Sequence, residues 1–432
     1  MPSARRTPGR GRVTLARHGV LQTRHPLVSI LAMLGVVLGV VAVSATGITA
    51  YNVWAAAQTV VDNAVVLDAD KPLPPSLDAI EGGVNLLMVG TDSCEGENAK
   101  LSTACMAGDT DGERNDVTML VHISDEPRRV TVVSFPRDML EPIPSCPKED
   151  GSGNYSAMAS QKLNVSYSYG GLTCTVMTIE AITKQEIDFA AAIRWSGVIA
   201  MSDAIGGVDV CIGEGGISDP EHTGLTLSEG EHTLQGWEAL QFLRIRHGIG
   251  NGSDLGRISN QQQFMSSMVR KLQSDAVLAD PARLLTLATT AIGQMQKGEL
   301  KLSSGLANPT LMVQIAMAVK NVPFEDIVFV QYPTRYSDDA LRVYPVTEAA
   351  DQLFAALEAN EPLTLTGDPS QGGGVEVTGE VVQPEPTTEA TPTPGASPGT
   401  DATTDPQQRV ELPSDIAGQT ADQTTCTVRE GK

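Results

Sequence analysis

The fold is decided by the stretch Val130-Thr131-Val132-Val133-Ser134-Phe135-Pro136-Arg137-Asp138. Its β-branched residues favour a buried strand, and Pro136 has no backbone N–H to donate to a sheet. Arg137 and Asp138 are therefore expected just past the carboxyl edge of a sheet, where open α/β sheets bind ligands. The planar guanidinium of Arg137 suits a phosphate or carboxylate, and Asp138 can hold it in place, although a surface salt bridge explains one such pair more simply.

Two further strands are predicted to bring carboxylates to the same edge. The run 84–92 is apolar up to its glycine and predicts a buried strand with Asp92 at its tip. A polar insertion follows, and then Arg114 and Asp116 lead into a strand over 117–123. Hard oxygen ligands of this kind suit Mg²⁺.

Downstream segments alternate between helical and strand patterns, which predicts a layered α/β domain. Helices are predicted over 172–183, 195–205, 234–246, 254–272, 282–295, 309–319 and 346–359, and strands over 187–195, 208–212 and 327–332. The side chains of Arg244 and Arg246 can face the same way only if the helix ends at these residues. The glycine-rich loop that follows permits such an end. Arg257 and Gln261 lie four residues apart at a helix start, where the positive helix end favours an anion.

Three methionines recur on the late helices, namely Met295, Met312 and Met317. Methionine at helical spacing is usually core, so burial is the preferred interpretation. A groove that holds a long lipid chain is the alternative.

The composition argues against a nucleic-acid binder, because 30 basic against 52 acidic residues give a net charge of −22. Residues 1–26 are rich in arginine, and 27–50 contain no charged residue. The run 27–50 predicts a transmembrane helix, and the positive-inside rule places the N-terminus in the cytoplasm. A cleaved signal peptide is the alternative, with Ala55-Ala56-Ala57 as its cleavage site.

This topology divides the chain into five parts. Residues 1–26 form a cytoplasmic basic segment, 27–50 the span, 51–82 a proline-containing spacer, 83–362 the extracytoplasmic domain and 363–432 a disordered tail. Transcription factors are disfavoured, because so short a cytoplasmic segment cannot fold as a DNA-binding domain.

Six cysteines follow the predicted span, and an even number in an oxidising compartment predicts disulfides. None forms a CxxC pair, which disfavours a zinc site. Sequence alone allows 15 pairings. We hypothesise the pairs Cys94 with Cys105, Cys146 with Cys174, and Cys211 with Cys426.

The polar residues at the tips of the predicted strands and helices suggest a diphosphate site with a bound cation. Arginines would neutralise charge on a transferring phosphoryl group, and carboxylates would hold the metal. The sequence contains no GxSxG, HExxH or P-loop motif, which disfavours serine hydrolases, zinc proteases and NTPases. Structural ion pairs explain the same residues about equally well from spacing alone.

Seven motifs that occur in order along the chain favour the diphosphate site over structural ion pairs. They are Asn85-Leu86-Leu87-Met88-Val89-Gly90-Thr91-Asp92, Arg114-Asn115-Asp116, Ser134-Phe135-Pro136-Arg137-Asp138, Lys162-Leu163-Asn164 with Tyr169-Gly170-Gly171, Gly206-Gly207-Val208-Asp209-Val210, Arg244-Ile245-Arg246, and Asp254-Leu255-Gly256-Arg257 with Gln261-Gln262. In this order, over roughly residues 83–360, the chain resembles the LytR-CpsA-Psr (LCP) family.

The resemblance implies a three-layer α/β/α domain with a central mixed sheet, anchored to the cell membrane by one helix and facing outward. It implies a phosphotransferase that moves a glycopolymer, such as arabinogalactan or teichoic acid, from a polyprenyl-pyrophosphate carrier onto peptidoglycan. The alternatives are a polyprenyl-pyrophosphatase and a non-catalytic cell-wall-binding or regulatory protein.

The resemblance also assigns roles to individual residues. Mg²⁺ or another divalent cation would be bound by Asp92 and Asp116. The catalytic group would be Arg137, Asp138, Arg244 and Arg246, and the pyrophosphate would also contact Arg114, Lys162, Arg257 and Gln261.

The chain departs from the family pattern at two places. Asn260 stands where the family has an arginine before its Gln-Gln pair, which predicts one phosphate contact fewer. The insertion lengthens the interval from Asp92 to Asp116, and a disulfide-closed loop is expected to bulge outward without moving its ends.

Overall fold

The computed structural model describes residues 64–67, 83–108, 112–273, 281–307, 309–338, 342–381 and 409–431, all within the compact unit Gln58–Lys432. The predicted segments 1–26 and 27–50, and all of 51–82 except 64–67, lie outside these ranges. None of the helices in the described ranges is long and apolar enough to span a membrane.

The described strands and helices can be given in chain order. The strands are β1 (Val84–Asp92), β2 (Arg114–Ile123), β3 (Val130–Phe135), β4 (Leu140–Ile143), β5 (Met158–Lys162), β6 (Phe189–Arg194), β7 (Val208–Ile212), β8 (Ile217–Asp219), β9 (Leu225–Leu227), β10 (Gly230–Leu234), β11 (Leu300–Leu302), β12 (Ile327–Gln331), β13 (Thr334–Tyr336), β14 (Val343–Pro345), β15 (Leu363–Thr364), β16 (Val375–Glu380), β17 (Val410–Glu411), β18 (Gly418–Thr420) and β19 (Gln423–Thr427). The helices are α1 (Thr103–Ala107), α2 (Val165–Thr183), α3 (Trp195–Ile205), α4 (Gly236–Arg244), α5 (Asp254–Gln273), α6 (Pro281–Gln296), α7 (Pro309–Lys320) and α8 (Thr347–Glu358).

Seven strands form one mixed sheet in the order β11-β6-β1-β2-β3-β12-β18. The strand β1 runs parallel to β6, and β3 runs parallel to β12, whereas β2 is antiparallel to both β1 and β3. The carboxyl ends of β1, β3, β6 and β12 therefore lie at the same edge as the amino end of β2. We call this the carboxyl edge.

Both faces of the sheet are covered, which confirms the predicted three-layer α/β/α architecture. One core contains Leu87 and Val133 together with apolar residues of α2 and α8. The other contains Val132 and Phe329 together with residues of α6 and α7. Strands with helices on both faces bury both sets of alternating side chains, which explains why β3 is buried at every position.

The chain after residue 362 differs from the prediction of a disordered tail. Within the described ranges 363–381 and 409–431, β18 extends the main sheet beside β12, and β16 and β19 join β7 and β10 in a four-stranded sheet. The low-complexity composition concealed a few apolar residues, such as Leu412 and Ile416, that are fully buried. The predicted strand 208–212 exists as β7, but it lies in this second sheet.

All three hypothesised disulfides are confirmed: Cys94 with Cys105, Cys146 with Cys174, and Cys211 with Cys426. The last bond joins β7 to β19 and ties the C-terminal strands to the domain.

The prediction that the three methionines lie in the core holds only in part. Met295 is buried, whereas Met312 and Met317 are 40% and 55% exposed.

The long disulfide loop generates a stability prediction. Replacing Cys211 and Cys426 by serine should lower the free energy of unfolding more than replacing Cys94 and Cys105, because the closed loops span 215 and 11 residues. The chain-entropy model gives a difference of about 2.6 kcal/mol. Urea unfolding followed by circular dichroism measures it, and equal losses in the two double variants would contradict the anchoring role of the longer loop.

Candidate functional site

A β-bulge places the two predicted metal ligands at the carboxyl edge. Gly90 pairs with Val117 and Thr91 pairs with Asn115, so Asp116 is the extra residue on β2. Asn115 donates to the Thr118 hydroxyl at 2.9 Å on the α2 side, although the two are three residues apart. The bulge therefore turns Asp116 to the opposite face, a known use of bulges beside functional sites.

Arg137 lies two residues beyond β3 and contacts three carboxylates. Its Nη1 donates to Asp116 Oδ1 at 2.5 Å, and its Nε lies 3.5 Å from Asp254 Oδ1 and 3.7 Å from Asp138 Oδ2. Asp116 is thus the main partner, and Asp138, predicted to orient Arg137, is the most distant of the three. Asp138 instead binds Lys162 Nζ at 2.7 Å.

Asp254, at the start of α5, connects two arginines. Its Oδ2 accepts from the Arg137 backbone at 3.3 Å, and its Oδ1 lies 2.5 Å from Arg257 Nη2. Arg257 also donates to the backbone carbonyl of Asp116 at 3.0 Å. Asp254 and Arg257 are buried, so their contacts fix the position of Asp116 and Arg137 from the α5 side.

Arg244 is held between an aromatic ring and the disulfide-bracketed insertion. Its guanidinium lies 4.0 Å from the ring centre of Trp195, and its Nη1 donates to the Leu101 carbonyl at 3.2 Å. The helix α4 ends at Arg244, two residues before the predicted end at Arg246, so Arg246 lies outside the helix. Arg246 lies 3.4 Å from His247 Nε2.

The charges of the site act on one another through short distances. Burial, followed by the charge of Asp116, raises the pKa of Asp92 to about 7. Burial would also raise the pKa of Asp116, but the charges of Arg257 and Arg137 outweigh it and hold that pKa below its ordinary value. Burial lowers the pKa of Arg244, against the charge of Asp116.

These electrostatics fit a divalent cation at Asp92 and Asp116. Two partly buried carboxylates oppose each other's ionisation, and the arginines compensate Asp116 more than Asp92. A cation that contacts both would favour the charged form of Asp92. Within the described ranges, no cluster of three or more His, Cys, Asp or Glu residues could form a complete protein shell, so water or substrate oxygens would supply the remaining ligands.

The amide side chains of α5 bind backbone groups. Gln261 Nε2 donates to the carbonyl of Leu243, the residue before Arg244, at 2.9 Å. Asn260 is fully buried, donates to the Phe242 carbonyl and lies 2.6 Å from the Thr427 hydroxyl. The residue that departs from the family pattern therefore holds a C-terminal strand, and contact of Gln261 with pyrophosphate stays a prediction.

A partly open apolar surface leads to the site. On β1, Leu86 and Met88 are only partly buried, although β1 lies inside the seven-stranded sheet. Val117 on β2 and Ala191 on β6 continue this surface and are also partly buried. Asp92 follows Leu86 and Met88 on the same alternating face of β1, so the apolar surface runs toward the carboxylate pair.

The sequence reasoning missed three residues of the site: Asp254, Trp195 and Tyr336. The first had a signal, since an acid in the first turn of a helix lies three residues before Arg257. Trp195 had no sequence signal, because its contact with Arg244 joins segments that are distant along the chain. Tyr336 hydrogen-bonds to Ser253, and burial raises the pKa of its phenol.

The family model of the LytR_cpsA_psr family matches residues 50–358. The match covers more than half of the chain, so the protein belongs to this family.

Individual relatives agree with that membership. Cell wall biosynthesis protein LcpA of Corynebacterium glutamicum is 28% identical over 229 residues, which cover 49% of this chain and 44% of LcpA. Polyisoprenyl-teichoic acid–peptidoglycan teichoic acid transferase TagU of Bacillus mycoides is 27% identical over 58% of this chain and 74% of TagU. The match to LcpB of C. glutamicum covers 64% of that relative, so both corynebacterial relatives are matched over less than two thirds of their length.

Among solved structures, the LytR-Csp2A-Psr enzyme from Actinomyces oris is similar, with a TM-score of 0.48 and 24% identity. The similarity covers 64% of this chain and 90% of the A. oris chain.

The first site prediction concerns the titration of Asp92. In metal-free protein its carboxyl should titrate near pH 7 by carbon NMR, and Asp116→Asn should lower the midpoint because one repelling charge is gone. The raised pKa means that the folded protein binds this proton more tightly than the unfolded chain between about pH 4 and 7. The contribution of Asp92 to the free energy of unfolding therefore falls as pH rises through that window.

An unshifted Asp92 midpoint in Asp116→Asn would contradict the proximity of the two carboxylates. The control is Glu97→Gln, which removes an exposed acid.

The second site prediction concerns Trp195. Trp195→Leu should weaken the binding of inorganic pyrophosphate about tenfold, because a desolvated cation–π contact contributes about 1–2 kcal/mol to holding Arg244. Calorimetric titration measures the affinity, and Trp195→Phe should retain most of it. The control is Trp237→Leu, which removes a 40% exposed tryptophan on α4. Equal affinities in Trp195→Leu and the wild type would contradict the positioning role.

Proposed function

We propose that the protein is a membrane-anchored phosphotransferase that moves a glycopolymer from a polyprenyl-pyrophosphate carrier onto peptidoglycan. The observation that carries this proposal is the meeting of two facing carboxylates with several arginines at one sheet edge. Family membership supports it, and TagU relatives are named for transfer of teichoic acid to peptidoglycan.

The arginines of the carboxyl edge suit a diphosphate. Among the described residues, no group bonds Nη2 of Arg137 or Nη2 of Arg244, so both guanidinium groups keep donors for phosphate oxygens. Arg114 donates its backbone N–H to Asp92, Arg246 lies two residues after Arg244, and Arg257 adds its charge from the buried side. Donors fixed in advance of the reaction stabilise the charge that develops on a transferring phosphoryl group.

The transfer step exchanges one phosphorus–oxygen bond for another. An acceptor hydroxyl oxygen forms a bond to the glycan-linked phosphorus, and the anhydride bond to the carrier breaks. Polyprenyl phosphate leaves with the electron pair, and the hydroxyl proton passes to water. Asp92 and Asp116 would hold Mg²⁺ or another divalent cation, which when bound neutralises phosphate charge.

The polyprenyl chain would lie on the partly open apolar surface of Leu86, Met88, Val117 and Ala191. Burial of each CH₂ group there would contribute about 0.8 kcal/mol. This surface also runs toward the carboxylate pair, which would place the diphosphate at the arginines. In this proposal the N-terminus is cytoplasmic and residues 83–362 lie outside the cell membrane.

The assay is cleavage of a radiolabelled polyprenyl-diphosphate glycan with peptidoglycan as the acceptor. Arg137→Ala should lower kcat about 10²- to 10³-fold, the usual loss when one preorganised charge donor is removed. Arg137→Lys should recover part of the rate, because it restores the charge but not the planar fork. Arg128→Ala is the control, since Arg128 lies in the loop at the opposite edge of the sheet and pairs with Glu126.

Full activity of the double variant Arg244→Ala with Arg246→Ala would overturn the assigned roles. Release of free glycan phosphate without a peptidoglycan-linked product would instead identify a pyrophosphatase.

A further inference from the structure

A second cleft opens at the carboxyl edge on the α2 side of the sheet. It has a volume of about 460 Å³ and is lined by Tyr155, Tyr167 and Tyr169 together with charged residues of both signs. This volume falls within the range of about 300–1,000 Å³ that is usual for small-molecule sites. None of these tyrosines takes part in the diphosphate site described above.

A break in α2 shapes one wall of the cleft. Gly171 has φ +63°, and a Cβ there would clash with the carboxylate of Glu149. A Cβ at Gly170 would lie 2.8 Å from the Cβ of Cys174 and 3.1 Å from the Cβ of Cys146. The two glycines therefore let the disulfide-bonded loop pack flat against the helix, which explains the Tyr169-Gly170-Gly171 motif.

The aromatic rings of the cleft are held in fixed positions. The rings of Tyr155 and Tyr169 lie 4.4 Å apart, and Tyr169 donates to the Ser156 carbonyl at 2.7 Å. Lys148 lies 5.4 Å from the Tyr155 ring centre, and Lys301 lies 5.7 Å from that of Tyr167. Rigid tyrosines present an apolar face for the C–H side of a sugar ring, and the surrounding lysines and carboxylates can bind its hydroxyls.

The charge balance separates this cleft from the diphosphate site. The cleft is lined by four acids and three bases, and its acid Glu113 is already paired with Arg194 at 2.6 Å. The diphosphate site instead holds six cationic candidates against the four carboxylates of Asp92, Asp116, Asp138 and Asp254. A phosphate-rich polymer would be drawn to the diphosphate site and not to the cleft. An uncharged glycan suits the cleft.

The tips of β1 and β2 lie between the cleft and the carboxylate pair. The Thr91 hydroxyl donates to Glu113 Oε1 at 2.5 Å on the cleft side. The next residue on each strand belongs to the diphosphate site, because the Arg114 backbone donates to Asp92 Oδ1 at 2.7 Å. A sugar in the cleft can therefore extend a hydroxyl over this edge.

We propose that the cleft binds the acceptor of the transfer reaction, as an uncharged saccharide that stacks on Tyr155 and directs a free hydroxyl toward Asp92. This inference rests on the proposed phosphotransferase function and assigns the second substrate to its own site.

The test uses the full chain and a β-1,4-linked tetramer of N-acetylglucosamine as the probe. Calorimetric titration should detect tetramer binding to the wild type, and Tyr155→Ala should weaken it about tenfold through the lost ring contact. Tyr155→Phe keeps the ring and should bind within about twofold of the wild type. Inorganic pyrophosphate should bind all three proteins equally, which also shows that the variants fold.

No tetramer binding to the wild type, unchanged binding in Tyr155→Ala, or an equal loss in the exposed control Trp237→Ala would overturn the acceptor site. The two proposals fail separately. Cleavage of a lipid diphosphate without tetramer binding refutes the acceptor cleft alone. Tetramer binding without any diphosphate cleavage refutes the phosphotransferase.

Discussion

The carboxyl edge depends on the compensation of two arginines by Asp116 and Asp254. Arg137 lies 2.5 Å from Asp116 in a partly buried pair, and Arg257 lies 2.5 Å from Asp254 in a buried pair, where water screens charge poorly. Loss of one partner from such a buried pair typically costs about 3–5 kcal/mol, because the other charge stays buried without compensation. The same pairing leaves Nη2 of Arg137 without a bonded group among the described residues, so the network that stabilises the edge also keeps a donor for an anion.

The insertion between Asp92 and Asp116 changes the surroundings of the site without separating its carboxylates. The bulge on β2 and the disulfide of Cys94 with Cys105 keep both strand tips in register. The inserted segment then contributes the Leu101 carbonyl to Arg244. The insertion therefore leaves Asp92 and Asp116 on paired strand tips and adds one backbone contact to the site.

Local patterns predicted the parts of the molecule that local physics determines. The strand before Arg137 follows from β-branching, and the glycine-rich loop after Arg246 placed the end of α4 within two residues. The three disulfide pairs were a hypothesis that cysteine spacing alone could not decide, and the structure confirms it. The C-terminal strands were missed because their burial depends on β7 and α5, which are distant in sequence. The same reason hid Trp195, whose role exists only once α3 and α4 pack together. Asp254 carried a helical signal but was not recognised as the partner of Arg137.

Electron density for the protein with a bound polyprenyl diphosphate tests the central claim most directly. We expect the two phosphate groups to contact the guanidinium groups of Arg137 and Arg244 beside Asp92 and Asp116. The lipid chain should lie along Leu86 and Met88 on the partly open face of β1. A diphosphate bound away from these arginines, or a lipid chain directed into solvent, would contradict the proposed site.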